Sequence, residues 1–361
     1  METEMGRDEI ASVNGVRITG LAACVPSYSV NNIEFGFDLY GKDIAGVVKT
    51  TGVEYRRTCP EGKVTSLDLC IRAAEVLKEV NSFDYSSFGG VICVTQTPDL
   101  LLPNNATFAQ YRLGLSEHSM AFDVNLACSG YVYGLWIASV TAKSLGKPVI
   151  LLDGDTHSHF TSSRDRTTAI LFGDAGTATI IEPCEDPKEW AFAFETDGSK
   201  REALIIPEGG YRNRITPESA VYKEYPDGGI RRGIDMKMDG MGVFNFVVRC
   251  VPNNLERLMS AVNMSPDDYD ILALHQANLF MVRQVAKKMK FSLEKVPTSI
   301  QKYGNSSSAT IPVTLVSELS NRISSEKLKV LASGFGAGLS VASCSFELGP
   351  CICPGVIEYE C

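Results

Sequence analysis

The sequence lacks several features that would assign a chain of 361 residues to a broad class. No uncharged apolar run approaches the ~18 residues of a membrane-spanning helix, so no membrane span is expected. The opening METEMGRDEIAS has neither the basic nor the apolar region of a signal peptide, which leads to the expectation of a cytoplasmic protein. Positive charge is in short supply, with 34 Lys and Arg against 43 Asp and Glu and a net charge of −9. That balance argues against non-specific nucleic-acid binding, which needs a broad basic footprint. It leaves room for an acidic protein partner, because docking needs only a local basic patch. With 44% hydrophobic and 21% charged residues, and no low-complexity linker, nothing supports extensive disorder.

Cysteine is plentiful, at 11 residues. In a long chain without a secretory signal these read as reduced thiols, mostly small buried apolar residues. Cys351 and Cys353 have no second pair at ligand spacing, and no carboxylate set completes a site with His157 and His159. No metal or cofactor is therefore expected, and the two histidines read as loop residues.

Short apolar strands alternate with amphipathic helices, which indicates an α/β chain with a mixed or mostly parallel sheet. Strands are predicted at Val16–Cys24, Gly89–Thr95, Met120–Val124, Val149–Asp153 and Ala178–Glu182. Helices are predicted at Ser66–Val80, Ala106–Leu113, Ser129–Leu145 and Phe244–Val262. A weak internal repeat runs through the pattern: VICVTQTP (Val91–Pro98) parallels ILALHQAN (Ile271–Asn278), and VILLDGDT (Val149–Thr156) parallels VLASGFGAG (Val330–Gly338). The expectation is two similar halves, 1–187 and 188–361. A polar stretch from Glu208 to Gly240 reads as a lid, a substrate-facing loop or a surface insertion.

One cysteine stands apart. Cys128 lies where the strand Met120–Val124 passes through a loop into a helix, in FDVNLACSGYVYGLWIAS. Helix N-terminal N–H groups and the helix dipole favour a thiolate, the nucleophilic form. His275 in LALHQAN and Asn305 in YGNSSSATIP complete a candidate set of thiol, imidazole and amide. The imidazole can serve as a base or act on later acyl chemistry, and the amide can donate to an oxyanion. Papain-type hydrolases combine the same residue types, but their local signature around the nucleophile is absent. The glycine-rich segment SGFGAGLS (Ser333–Ser340), read as a loop after the strand Leu328–Ala332, lacks the Lys of a P-loop and the full dinucleotide spacing. It reads as half of an oxyanion hole, with the Cys128 N–H as the other half, or as a tight turn between strands.

These segments, taken in order with TGVEYRRT (Thr51–Thr58), SRDRTTAILFGDAGTATII (Ser163–Ile181) and MDGMGVFNFVV (Met238–Val248), resemble the beta-ketoacyl-acyl-carrier-protein synthase III family of the thiolase superfamily, over about Val16 to Glu347. The resemblance implies a thiolase-like duplicated αβαβα five-layer fold, a homodimer, and a decarboxylative Claisen condensation. In such a reaction Cys128 is acylated by an acyl-CoA or acyl-carrier donor, with the N–H groups of Cys128 and Ala337 forming the oxyanion hole. His275 and Asn305 donate to the carbonyl of a malonyl-carrier-protein thioester. The resemblance also implies substrate-binding places for Arg166, Phe244 and Leu102, the last reaching the acyl pocket from the second subunit. Arg283, Lys287 and Lys290, at i, i+4 and i+7, form a candidate docking stripe for acyl carrier protein, because Phe280 takes the place of the family's docking arginine. Gly46 stands where many members carry an aromatic platform for the adenine of CoA. An acyltransferase that passes the Cys-bound acyl group to an amine or hydroxyl is the rival reading.

Overall fold

The computed structural model describes residues 9–360, and its strands gather into two large sheets. The first contains β17 (Ile357–Tyr359), β2 (Val16–Pro26), β8 (Ala175–Pro183), β7 (Val149–Asp155), β5 (Gly90–Val94) and β6 (Met120–Val124), in that order. The second has the order β1 (Ile10–Asn14), β9 (Glu189–Thr196), β16 (Ser340–Leu348), β15 (Leu328–Gly336) and β14 (Ile271–Leu274). Two-stranded ribbons complete the set: β3 (Ser29–Asn31) with β4 (Tyr55–Arg57), β10 (Leu204–Ile205) with β13 (Lys237–Met238), and β11 (Lys223–Glu224) with β12 (Ile230–Arg231).

The pairing pattern repeats between the large sheets. From β5 through β7 and β8 to β2 the pairs run parallel, antiparallel, antiparallel. From β14 through β15 and β16 to β9 they run the same way. The ends of the chain cross over, since β1 pairs with β9 in the second sheet and β17 with β2 in the first.

The principal helices are α1 (Asn32–Tyr40), α2 (Ile44–Thr51), α3 (Ser66–Asn81), α4 (Asn105–Leu113), α5 (Gly130–Leu145), α6 (Gly240–Ala261), α7 (Leu279–Lys288), the short α8 (Ile300–Tyr303) and α9 (Thr310–Ser325). Three apolar clusters show how they stack. One joins α3 and α4 to the outer face of the first sheet. A second joins α6 and α7 to the outer face of the second sheet. The third buries α5 and α9 between the two sheets. The result is five layers, αβαβα. The middle helices are buried on most sides, which explains why α5 reads as apolar nearly all round rather than striped.

Local signals set the boundaries. Thr65 and Asp68 form a reciprocal capping box that starts α3 where the periodicity predicts it. Helix α6 begins four residues before the predicted Phe244, because the Asp239 carboxylate caps it by accepting from the Gly242 N–H at 3.0 Å. The segment Ser333–Gly336 is strand rather than loop, and only residues 337–339 form the turn. The Glu208–Gly240 stretch is anchored: the Arg231 guanidinium is buried against Asp165 at 3.1 Å and Asp227 at 2.7 Å. Among the described residues no helix is long and apolar enough to cross a membrane.

Leu135 on α5 is fully buried in the central layer. Leu135→Ala is expected to cost about 2–5 kcal/mol, read from the denaturant midpoint. Val80→Ala on the exposed end of α3 should stay within about 0.5 kcal/mol.

Candidate active site

Cys128 sits in the turn between β6 and α5, 4% exposed, on the wall of a cavity of about 280 Å³. Strand β15 runs so close to it that side chains on the strand would collide. A Cβ at Gly334 would lie 2.6 Å from the Cys128 carbonyl oxygen, and one at Gly336 would lie 2.9 Å from the Cys128 Sγ. The two glycines that look like a loop signature are therefore a close-approach requirement within a strand. Ala337, at the start of the turn, lines the same cavity. The Ser129 and Ser340 hydroxyls meet at 2.8 Å and tie that turn to the beginning of α5.

His275 and Asn305 leave the ends of regular elements and are both buried. The backbone N–H of His275 donates to the Ser333 carbonyl at 2.9 Å, which docks the HQAN segment on β15. Asn278 of the same segment caps α7 by accepting from the Met281 N–H at 2.8 Å. The Asn305 N–H donates to the Leu171 carbonyl at 2.9 Å, and the Gly173 N–H donates back to the Asn305 carbonyl at 3.1 Å.

Ser307 links the three side chains. Its N–H donates to Asn305 Oδ1 at 2.9 Å, which leaves the Asn305 Nδ2 as a donor. Its hydroxyl lies 3.8 Å from the Cys128 Sγ. Its carbonyl accepts from the Thr310 hydroxyl at 3.0 Å, and that hydroxyl also meets His275 Nδ1 at 2.6 Å. Phe335 packs edge-on against the His275 ring. Neither Ser307 nor Thr310 carries a signal in the sequence beyond membership of the YGNSSSATIP segment.

Burial governs the protonation states. It pushes the Cys128 thiol up to about 12, against the pull of the Ser307 hydroxyl hydrogen bond. It pulls His275 down to about 3. The resting pair is a neutral thiol and a neutral imidazole. The helix N-terminus favours a thiolate and burial opposes it: α5 begins two residues after Cys128, whose side chain is almost wholly desolvated.

His157 corrects a second expectation. It is not a free loop residue: it is 3% exposed, lines the Cys128 cavity, and packs edge-on against Phe172. His159 points elsewhere, its Nε2 meeting the Cys59 carbonyl at 3.2 Å. From the Glu208–Gly240 stretch, Met236 also contributes to the cavity wall.

The outer candidates are scattered. The exposed Arg166 guanidinium donates twice to the Leu39 carbonyl, at 2.8 and 3.0 Å, and stacks over Tyr40. Leu102 is 86% exposed, beside the exposed Leu100 and Leu101. Phe244 stacks on Phe280 with ring centroids 5.7 Å apart, away from the cavity lining. Arg283 and Lys287 lie on the exposed side of α7. Lys290 does not share that helix face, because the helix ends at Lys288 and Lys290 sits in a left-handed turn with φ 59°. Gly46 on α2 faces open space, with nothing within 4 Å of an added Cβ.

A five-layer α/β fold with a buried thiol, an imidazole and an amide joined through one loop has the architecture of thiolase-like condensing enzymes. Sequence profiles described as 3-oxoacyl-[acyl-carrier-protein] synthase III and its C-terminal part match residues 122–198 and 259–348. The chain is 32% identical to the beta-ketoacyl-[acyl-carrier-protein] synthase III of Natranaerobius thermophilus, over 82% of this chain and 89% of that protein. It is also 32% identical to a putative 3-oxoacyl-[acyl-carrier-protein] synthase 3 of Campylobacter jejuni, over 91% and 92%. The solved 3-oxoacyl-(acyl-carrier protein) synthase of Burkholderia xenovorans LB400 superposes with a TM-score of 0.91 at 36% identity, covering 97% of this chain and 99% of that one. The chain belongs to the beta-ketoacyl-[acyl-carrier-protein] synthase III family.

With its thiol pushed up to about 12, Cys128 should be alkylated by iodoacetamide at a rate that climbs about tenfold per pH unit below that value. Mass spectrometry of samples quenched between about pH 6 and pH 9 reads this directly. A plateau in that range would mean the thiolate already exists in the resting site.

Proposed function

We propose that this chain joins a Cys128-bound acyl group to a malonyl group carried on acyl carrier protein, with loss of CO2, giving a beta-ketoacyl thioester. The observation that carries this reading is the convergence of Cys128, Asn305 and His275 on Ser307. The names of the relatives point to the same reaction class.

In the first half-reaction the Cys128 sulfur attacks the donor thioester, and the thiol proton leaves with the departing thiolate. The N–H groups of Cys128 and Ala337 hold the oxyanion. In the second, the malonyl thioester carbonyl accepts from Asn305 Nδ2 and from His275 Nε2. For Nε2 to carry the ring proton that this donor needs, the Thr310 hydroxyl must turn its single proton from the Ser307 carbonyl to His275 Nδ1, 2.6 Å away. Loss of CO2 leaves an enolate held by the two donors. Its carbon attacks the acyl-cysteine carbonyl, the C–S bond breaks, and Cys128 leaves as a thiolate. A neutral imidazole suits this step, because it donates a hydrogen bond without giving up its proton and quenching the enolate, as an imidazolium would. Plain transfer to an amine or hydroxyl would call for a base and leaves the Asn305 donor without a task.

The exposed tip Leu100, Leu101 and Leu102 suits burial against a second copy, so we assign a homodimer in which Leu102 of the partner subunit closes the acyl pocket. Open space at Gly46 and an Arg166 already bonded to Leu39 favour a donor on a carrier protein over CoA. Arg283 and Lys287, with Lys290 just past the helix, offer positive charge to an acidic carrier. The setting assigned is the cytoplasm.

Incubation with acyl-carrier and acyl-CoA donors should add one acyl group, seen by intact-protein mass spectrometry, and Cys128→Ala should abolish it. Asn305→Ala should keep the adduct but slow CO2 release from malonyl-carrier about 100- to 1000-fold. Undiminished CO2 release in that variant would sink the condensation reading. Reversing Arg283, Lys287 and Lys290 to Glu should raise the apparent KM for malonyl-carrier with little effect on kcat; an unchanged KM would remove that surface as the docking site.

A further inference from the structure

We infer that the acyl group accepted by Cys128 carries a hydroxyl group, and that His157 is the residue that reads it. The inference rests on Cys128 being the acyl-bearing residue. A pocket built for a plain alkyl chain is lined by apolar atoms. Here the cavity beside the thiol contains a buried imidazole whose Nδ1 has no hydrogen-bond partner. Leaving such an atom unsatisfied costs about 1–3 kcal/mol, so a ligand that fills the position recovers that cost.

The surroundings of the ring specify what the ligand must offer. Phe172 packs edge-on against it at 5.7 Å between centroids and restricts its tilt. Its Nε2 faces Asp155 Oδ2 at 4.0 Å. That carboxylate is buried and fixed by the Gln96 N–H at 2.7 Å and the Ser308 hydroxyl at 3.0 Å. A carboxylate in this place favours the ring proton on Nε2, which leaves Nδ1 as an acceptor. The ligand must therefore donate. Gln96 and Asn125 line the same cavity, and the Gln96 Nε2 donates to Asn125 Oδ1 at 3.2 Å. The Asn125 Nδ2 is thereby left to donate to the ligand's oxygen. A group that both donates and accepts is a hydroxyl. An ammonium would want a carboxylate in the cavity wall, and the described lining residues include no Asp or Glu.

The test compares acylation of Cys128 by butyryl, (R)- and (S)-3-hydroxybutyryl and 4-hydroxybutyryl groups, each loaded on the same acyl carrier protein and on CoA. Time-resolved intact-protein mass spectrometry gives kcat/KM for each. The expected result is a preference of roughly tenfold or more for one hydroxylated donor over butyryl, equivalent to about 1.4 kcal/mol. His157→Leu should reduce that ratio to near one, and His157→Asn, which keeps an acceptor, should retain part of it. Thermal melts of each variant check folding, and if His157→Leu does not fold, the wild-type ratio decides alone. Equal rates for all donors on wild type, or a ratio that survives His157→Leu, would overturn the inference while leaving Cys128 as the acyl carrier. No adduct from any donor would overturn both readings together.

Discussion

The geometry of the site hangs on one buried residue, Ser307. Its φ of 55° lies in the left-handed region that side chains other than glycine seldom adopt. In that conformation its N–H, hydroxyl and carbonyl point to Asn305, Cys128 and Thr310 respectively. An ordinary extended or helical φ would turn at least one of the three away. The strain is held by the surroundings: Ser308 is bonded to the buried Asp155, and α9 begins at Thr310. Three reacting groups from distant parts of the chain therefore share one rigid support rather than three separate ones.

The second governing effect is dehydration. A cysteine and a histidine in one pocket invite the expectation of a thiolate–imidazolium pair. Here burial drives both groups to their neutral forms, in opposite directions on the pH scale. Neutrality fits a site whose charge develops only in the course of reaction. Donors preorganised around an enolate contribute most where water is excluded, and the same exclusion keeps the resting nucleophile uncharged.

Much of the fold was legible in the sequence because its signals are local. Period-2 and period-3.6 patterns placed β6 at Met120–Val124 and the end of α3 within a residue of its observed position, and the capping residue Thr65 lies just before the predicted start. The five-layer stacking came through resemblance, and the structural neighbours share it. Cys128 and His275 could be named because each follows an apolar strand, whereas Asn305, read the same way, follows the short helix α8 and was marked only by its YGNSSSATIP segment. What stayed hidden depends on packing between distant segments. The glycines of β15 looked like a loop, since nothing in SGFGAGLS reveals that Cys128 presses on the strand. His157 looked like a surface residue, since the burial of a short segment after β7 is set by Phe172 and Met236. Lys290 looked helical because the charge spacing continues two residues beyond the point where the helix stops.

The exchange of strands between the sheets has a consequence for how the protein is made. The edge of the first sheet next to β2 is supplied by Ile357–Tyr359, near the end of the described chain. During synthesis the strands of that sheet up to β8 emerge first and remain without this neighbour until β9 to β16 have followed. An uncovered edge of this kind is a template for pairing with another nascent chain. Part of the strand Val16–Pro26 thus stays unpaired on one side until β17 is made, and that interval is a window in which it can pair with another nascent chain.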